Sequence, residues 1–116
     1  MITKEFELHV EGFAKSPLSS NDLKANFALG LAGESGEVAD LIKKHLYHGL
    51  ALDRAGLVLE LGDLLWYWVA LTQAFDLSPS EIMAANIAKL QSRHGGTSFD
   101  RAKAAAAKGE TLADLD

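Results

Sequence analysis

The chain has 116 residues and a mass of 12.5 kDa, the scale of one small domain over 1–116, which excludes a large α/β barrel or a multidomain machine. Sixteen Asp and Glu against eleven Lys and Arg give a net charge of −5 that repels a polyanion, so nonspecific binding of nucleic acid is excluded as a main role, and the absence of Cys removes thiol nucleophiles, disulfides, zinc-thiolate sites and iron–sulfur ligation. The longest uninterrupted apolar run, Leu64 to Leu71, has eight residues against the roughly 20 needed to cross a bilayer, so no membrane-spanning helix is expected. With no basic segment followed by an apolar stretch at the N-terminus, the expected location is cytoplasmic.

Nineteen Leu and eighteen Ala against eight Val and Ile predict an all-α fold, because unbranched side chains lose less rotamer freedom on a helix. A first short helix is predicted from Thr3 to about Ala14, with Phe6, Val10 and Phe13 on one side and Ser16-Pro17 closing it. Ser19, Ser20 and Asn21 offer caps for a second helix from about Asp22 to Tyr47, stopped by His48-Gly49. Its buried stripe is Leu23, Phe27, Leu31, Val38, Leu41 and His45, with His45 read as a core histidine whose hydrogen bonds are satisfied. The third helix starts after Leu52 or Asp53 and reaches Phe75, with Leu57, Leu61, Leu64, Leu65, Trp68, Leu71 and Phe75 at helical spacing. Ser78 caps a fourth helix whose first residue is Pro79, which ends near Arg93 before Gly95-Gly96 and presents Ile82, Asn86, Lys89, Leu90 and Arg93. Four main helices in a core of about 19–95 are followed by a tail of about 97–116, in which Ala104 to Ala107 extend a weak helix and the polar end is mobile or packed on a partner. Two helices of this length leave long apolar faces on so small a chain, so a homodimer or homotetramer is expected.

Glu34 and Glu37 stand three residues apart on the second helix, Glu60 and Asp63 three apart on the third, so each pair shares a helix face. If the two helices run antiparallel about Leu50, the pairs meet at similar heights. Four such carboxylates repel one another and lose solvation unless a cation joins them, and an all-oxygen set suits Mg²⁺, with Mn²⁺ as substitute. Without a Glu-x-x-His pair the helices do not read as a di-iron site. Gly33, Gly36 and Gly62 beside the acids thin the helix surfaces for close approach of a helix or ligand, and Asp40 reads equally as a solvent-facing helix residue. Lys43 and Lys44 beyond Glu37, and Asn86, Lys89 and Arg93 on one side of the fourth helix, are candidates for phosphate oxygens.

The segments Gly30-Leu31-Ala32-Gly33-Glu34-Ser35-Gly36-Glu37-Val38-Ala39-Asp40-Leu41-Ile42-Lys43-Lys44, Leu59-Glu60-Leu61-Gly62-Asp63-Leu64-Leu65-Trp66-Tyr67 and Asn86-Ile87-Ala88-Lys89-Leu90-Gln91-Ser92-Arg93 together resemble the MazG-like all-α nucleoside triphosphate pyrophosphohydrolases. The resemblance runs from about Asn21 to Gly95, with Asp40 where many relatives have Glu and His94 where relatives often have Tyr. It implies a helical oligomer that hydrolyses a nucleoside triphosphate to monophosphate and pyrophosphate with Mg²⁺. It implies Glu34, Glu37, Glu60 and Asp63 as metal ligands, Asn86 near metal or substrate, and Lys89 and Arg93 on the phosphates. Glu37 is the candidate general base, Glu60 and Lys89 complete the candidate catalytic set, and Trp66, Tyr67 and Phe27 are candidates for stacking on the base or, equally, for packing in the helix core. The competing expectations are a metal-dependent phosphohydrolase of a signalling nucleotide and a noncatalytic helical module that recognises a basic partner.

Overall fold

The protein is described by a computed structural model over residues 1–15, 18–96 and 101–109, the side chains at 104, 105, 107 and 108 excepted. Five helices follow one another, α1 (Lys4–Phe13), α2 (Ser20–Tyr47), α3 (Arg54–Ala74), α4 (Pro79–His94) and α5 (Arg101–Lys108), and there is no strand among the described residues. The all-α expectation is met. The chain divides into two compact units, Met1–Leu77 and Ser78–Asp116.

Local chemistry sets the helix starts. Thr3 Oγ1 accepts the Phe6 N–H at 3.1 Å, Ser19 Oγ that of Asp22 at 3.2 Å, and Asp53 Oδ1 that of Gly56 at 2.9 Å. Ser19 is thus the cap among the three candidates before α2, and Asp53 fixes the start of α3. The expected closure of α1 by Ser16-Pro17 lies outside the described residues.

In the first unit α2 and α3 form an antiparallel hairpin, joined by residues 48–53. Lys24 lies 4.7 Å from the Phe75 ring centroid, Gly30 touches Tyr67, and Glu34 meets Glu60 and Asp63, so positions descend on α3 as they rise on α2, and Phe27 packs edge-on to Trp66. Val10, Phe27, Val69 and Ala70 are the buried apolar residues, with Leu23, Leu65, Trp66, Tyr67, Trp68 and Leu71 packed around them. α1 straps this end of the hairpin, where Val10 enters the core and Gln73 Nε2 donates to the Glu7 carbonyl at 2.9 Å. The core therefore sits at the end of the hairpin away from its loop.

Several expected core positions are corrected. Phe13 is 75% exposed and packs on His9 with ring centroids 4.9 Å apart, while Leu61 and Phe75 are also exposed. Phe6, Val10 and Ala14, spaced four apart, are the residues that meet the core, and Phe13 lies off that line. Leu61 faces outward because α3 is apolar around its whole circumference, so one chain cannot cover every side. α3, with 21 residues, is long and apolar enough by length and composition to cross a bilayer, although Glu60, Gly62 and Asp63 keep its longest uninterrupted apolar run at eight residues.

In the second unit Ser78 and Glu81 exchange hydrogen bonds in a capping box, at 3.1 Å to Ser78 Oγ and 2.9 Å to Glu81 Oε1, with Pro79 as the first helical residue. α4 closes at Gly95, whose φ of 73° favours a residue without a side chain, and Lys103 Nζ of α5 donates to the His94 carbonyl at 3.1 Å. α5 begins earlier than the alanine run suggests, at Arg101. The expected mobile end, residues 110–116, lies outside the described residues.

Phe27→Ala is expected to lower unfolding stability by about 3 kcal/mol and Phe13→Ala by less than about 0.5 kcal/mol, measured as urea midpoints at one fixed protein concentration.

Candidate metal centre

The hairpin register brings one carboxylate oxygen each from Glu34, Glu60 and Asp63 within 4.8 Å of one another. Glu60 and Asp63 share a face of α3, and Glu34 comes across from α2, with Glu34 and Glu60 half-buried and Asp63 exposed. Three of the four expected ligands are thus together. Glu37 lies one turn nearer the loop on α2, outside that group, where with Glu60 it lines a second cavity of about 260 Å³.

The electrostatics are those of an uncompensated cluster. Glu34 is held above the usual carboxylate pKa first by Glu60, with which it makes a hydrogen bond in the protonated form, then by burial and by the charges of Asp63, Glu60 and Glu37. When ionised, its Oε2 is buried with no hydrogen-bond partner among the described residues. A buried acceptor without a donor is costly, and three oxygens of one charge aimed at a common point suit a hard divalent cation. The residues present therefore fit Mg²⁺ or Mn²⁺.

No ion pair involves these carboxylates among the described residues, and the nearby basic side chains are engaged elsewhere. Lys44 lies 2.8 Å and Lys43 3.7 Å from Asp40 on α2, with both lysines exposed and Asp40 half-buried. The Lys44 contact is the main cause of an Asp40 pKa below, and a Lys44 pKa above, the ordinary value. Lys44 also lines the second cavity with Glu37, Asp40 and Glu60, whereas Lys43 does not, so Lys44 is the better placed of the two phosphate candidates. His45 Nδ1 lies 2.9 Å from the Leu50 carbonyl, and since a carbonyl only accepts, Nδ1 carries the proton and donates. It is hydrogen-bonded as expected but is not a core residue, since it is half-buried at the loop end of the hairpin, away from the core.

On the other side of the carboxylates a cavity of about 340 Å³ is lined by Glu34, Asp63, Trp66 and Tyr67. Trp66 and Tyr67 are thereby brought to the site. Phe27 is not, since it is buried behind Trp66 at a ring-centroid distance of 6.0 Å and belongs to the core. Asn86, Lys89 and Arg93 lie on α4 in the second unit, with Asn86 and Lys89 exposed and Arg93 half-buried. A methyl group at Gly33, Gly36 or Gly62 would meet nothing within 4 Å among the described residues, so those helix surfaces are open, and the close approach of α2 to α3 occurs at Gly30.

Residues 24–97 match the model of the MazG nucleotide pyrophosphohydrolase domain, a stretch that contains all three clustered carboxylates, Glu37 and the whole of α3 and α4. The chain belongs to the MazG family. It is 39% identical over 69 residues to the Gene 37 protein of Mycobacterium phage L5, a match that takes in 56% of this chain and 60% of that relative's length. No solved structure matches the chain. The three clustered carboxylates thus lie inside the family match, and an acidic cluster of this kind is compatible at the family level with a divalent metal cofactor.

Because Glu34 is repelled by its neighbours, Glu34→Gln is expected to raise the melting temperature of the metal-free protein by a few degrees, about 1 kcal/mol of relieved repulsion, while reducing the further rise that Mg²⁺ produces in the unsubstituted protein. The raised Glu34 pKa gives the sign with pH: the folded state binds that proton more tightly, so its contribution to metal-free stability is present at low pH and is lost as pH rises through the raised value. Thermal denaturation with chelator and with Mg²⁺, across pH, checks both.

Proposed function

We propose that the protein hydrolyses a nucleoside triphosphate between the α and β phosphates, releasing nucleoside monophosphate and pyrophosphate, with Mg²⁺ as cofactor. The observation that carries this reading is the set of Glu34, Glu60 and Asp63 oxygens within 4.8 Å, with Glu34 Oε2 buried and unpartnered, inside a MazG domain. Glu34, Glu60 and Asp63 would hold the ion, and Glu37, the fourth expected ligand, lies outside their group. When bound, the ion supplies neutralisation of phosphate charge and a water more easily deprotonated than in bulk.

The chain's own groups divide the remaining work. Glu37, in the same face of α2 as Glu34 but outside the cluster, is the candidate to accept a proton from the attacking water. Trp66 and Tyr67 offer ring surface to the nucleoside from the cavity beside Glu34 and Asp63. Lys44 stands on the Glu37 side, so the substrate would lie with its base toward the aromatic cavity and its phosphates toward Lys44. In this reading Asn86, Lys89 and Arg93 of α4 supply further phosphate contacts, with Lys89 acting on charge that develops during bond cleavage.

A homodimer or homotetramer belongs to the same proposal. Val58 and Leu59 are each 69% exposed, and Leu29, Leu46 and Leu61 add to the uncovered apolar surface of the hairpin, which a second copy would bury. A cytoplasmic location, and a reaction without nucleic acid or membrane, belong to the same proposal.

Product analysis over ribo- and deoxynucleoside triphosphates, with Mg²⁺, Mn²⁺ or chelator, tests the reading. Pyrophosphate and monophosphate are the expected products, and Glu60→Gln is expected to lower kcat by about a hundredfold or more while remaining folded. Orthophosphate as the released product would point instead to another phosphohydrolase, for instance of a signalling nucleotide. Absence of turnover and of metal dependence would favour a noncatalytic helical module.

A further inference from the structure

Tyr67 forms a wall of the aromatic cavity, and its place is set from across the hairpin. Gly30 lies one turn before Glu34 on α2, and Tyr67 one turn after Asp63 on α3, so the two face each other one turn away from the carboxylates. A Cβ at Gly30 would overlap Cδ1, Cε1 and Cζ of the Tyr67 ring. Gly33, Gly36 and Gly62, in the same two helices, have open space where a side chain would go. A glycine inside a helix costs about 1 kcal/mol relative to alanine, and at Gly30 the volume left by the missing side chain is taken by another residue's ring.

The ring also meets that of Trp66, edge-on at 5.2 Å and 80°, and Trp66 in turn meets buried Phe27 at 6.0 Å and 75°. Gly30 and Phe27, three apart on α2, therefore fix the two rings that line the cavity with Glu34 and Asp63. We propose that Gly30 is a specificity-determining positioning residue, which lets Tyr67 lie against α2 and so keeps the cavity beside the carboxylates open to the nucleoside part of the substrate. The proposal rests on the hydrolase reading above for its substrate class.

A side chain at position 30 has two ways to be accommodated. Separating α2 from α3 would break the packing of Phe27 with Val69 and Ala70 and draw Glu34 away from Glu60 and Asp63. Turning one side chain costs less, and the open direction for the Tyr67 ring is the cavity itself. Gly30→Ala thus narrows the nucleoside pocket and leaves the carboxylates in place.

The test uses the full chain carrying Trp68→Phe, so that Trp66 is the one tryptophan, and compares it with the Gly30→Ala, Tyr67→Ala and doubly substituted chains in that background. Gly30→Ala is expected to shift Trp66 emission, to leave Mn²⁺ affinity, read by paramagnetic resonance, within about twofold, and to raise KM about tenfold with kcat changed less than about threefold. The Kd for the standard nucleoside triphosphates, read by Trp66 quenching, should rise in parallel, and in the Tyr67→Ala background Gly30→Ala should add less than about twofold. An unchanged KM and Kd, an equal penalty with and without Tyr67→Ala, or a matching loss of Mn²⁺ affinity overturns the proposal. So does a Gly30→Ala chain that unfolds and is rescued by Tyr67→Ala, since the ring then has nowhere to turn. If the parent protein binds triphosphates but turns none over, the hydrolase reading fails and the Kd comparison alone decides the role of Gly30; loss of both binding and turnover overturns both.

Discussion

The repulsion among Glu34, Glu60 and Asp63 is the constraint around which the first unit is arranged. Like charges within 4.8 Å separate unless the backbone carrying them is held by something stronger, and here it is held by two helices locked in antiparallel register. The lock is remote from the charges. It consists of Phe27, Val69 and Ala70 with Val10 laid over them, an edge-to-face aromatic chain, and the Gln73 bond to Glu7. Packing at one end of the hairpin therefore holds acids near its middle at a spacing that they would not choose, and binding of a cation would turn that opposition into attraction.

The other end of the hairpin has no comparable cover within the first unit among the described residues. Leu46, Leu50, Val58, Leu59 and Leu61 are exposed there, and α1 is too short to reach them. α3 satisfies the length and composition of a bilayer-crossing segment, yet Glu60 and Asp63 in its middle belong to a polar site with Glu34 on α2, an arrangement that hydrocarbon would penalise by several kcal/mol. An apolar helix with a polar notch is better explained as one that needs protein on every side. The open space beside Gly33, Gly36 and Gly62 fits that view, because flat helix surfaces without side chains let another helix come close.

Much of this is legible in the sequence where a local rule decides. Ser19, Asp53, Ser78 and Gly95 punctuate helices through their own hydrogen bonds or backbone angle, and the sequence places those boundaries to within a few residues. The two acidic pairs are legible because spacing of three fixes a shared face and a short loop fixes antiparallel register. Phe13, Leu61 and Phe75 are misplaced by periodicity because it gives the direction of a side chain and not whether another element lies there. Lys43 and Lys44 are drawn to Asp40 by an i, i+3 and i, i+4 geometry that the sequence contains but that attention to phosphate passes over. Gly30 cannot be distinguished from Gly33 and Gly36 by sequence at all, since the difference lies in which side chain of α3 stands opposite.

That difference shows how one hairpin separates two requirements. Holding the carboxylates needs α2 and α3 close and rigid, whereas admitting a nucleoside beside them needs room. Gly30 reconciles the two by removing volume from α2, so that Tyr67 fits between the helices without spreading them and without filling the cavity. One turn further on, Glu34 brings its charge across the same interface. The position of the aromatic wall and the position of the metal ligands are thus set by a single helix pair, but by different residues on it, which is why pocket shape can change with Gly30 while the carboxylate geometry persists.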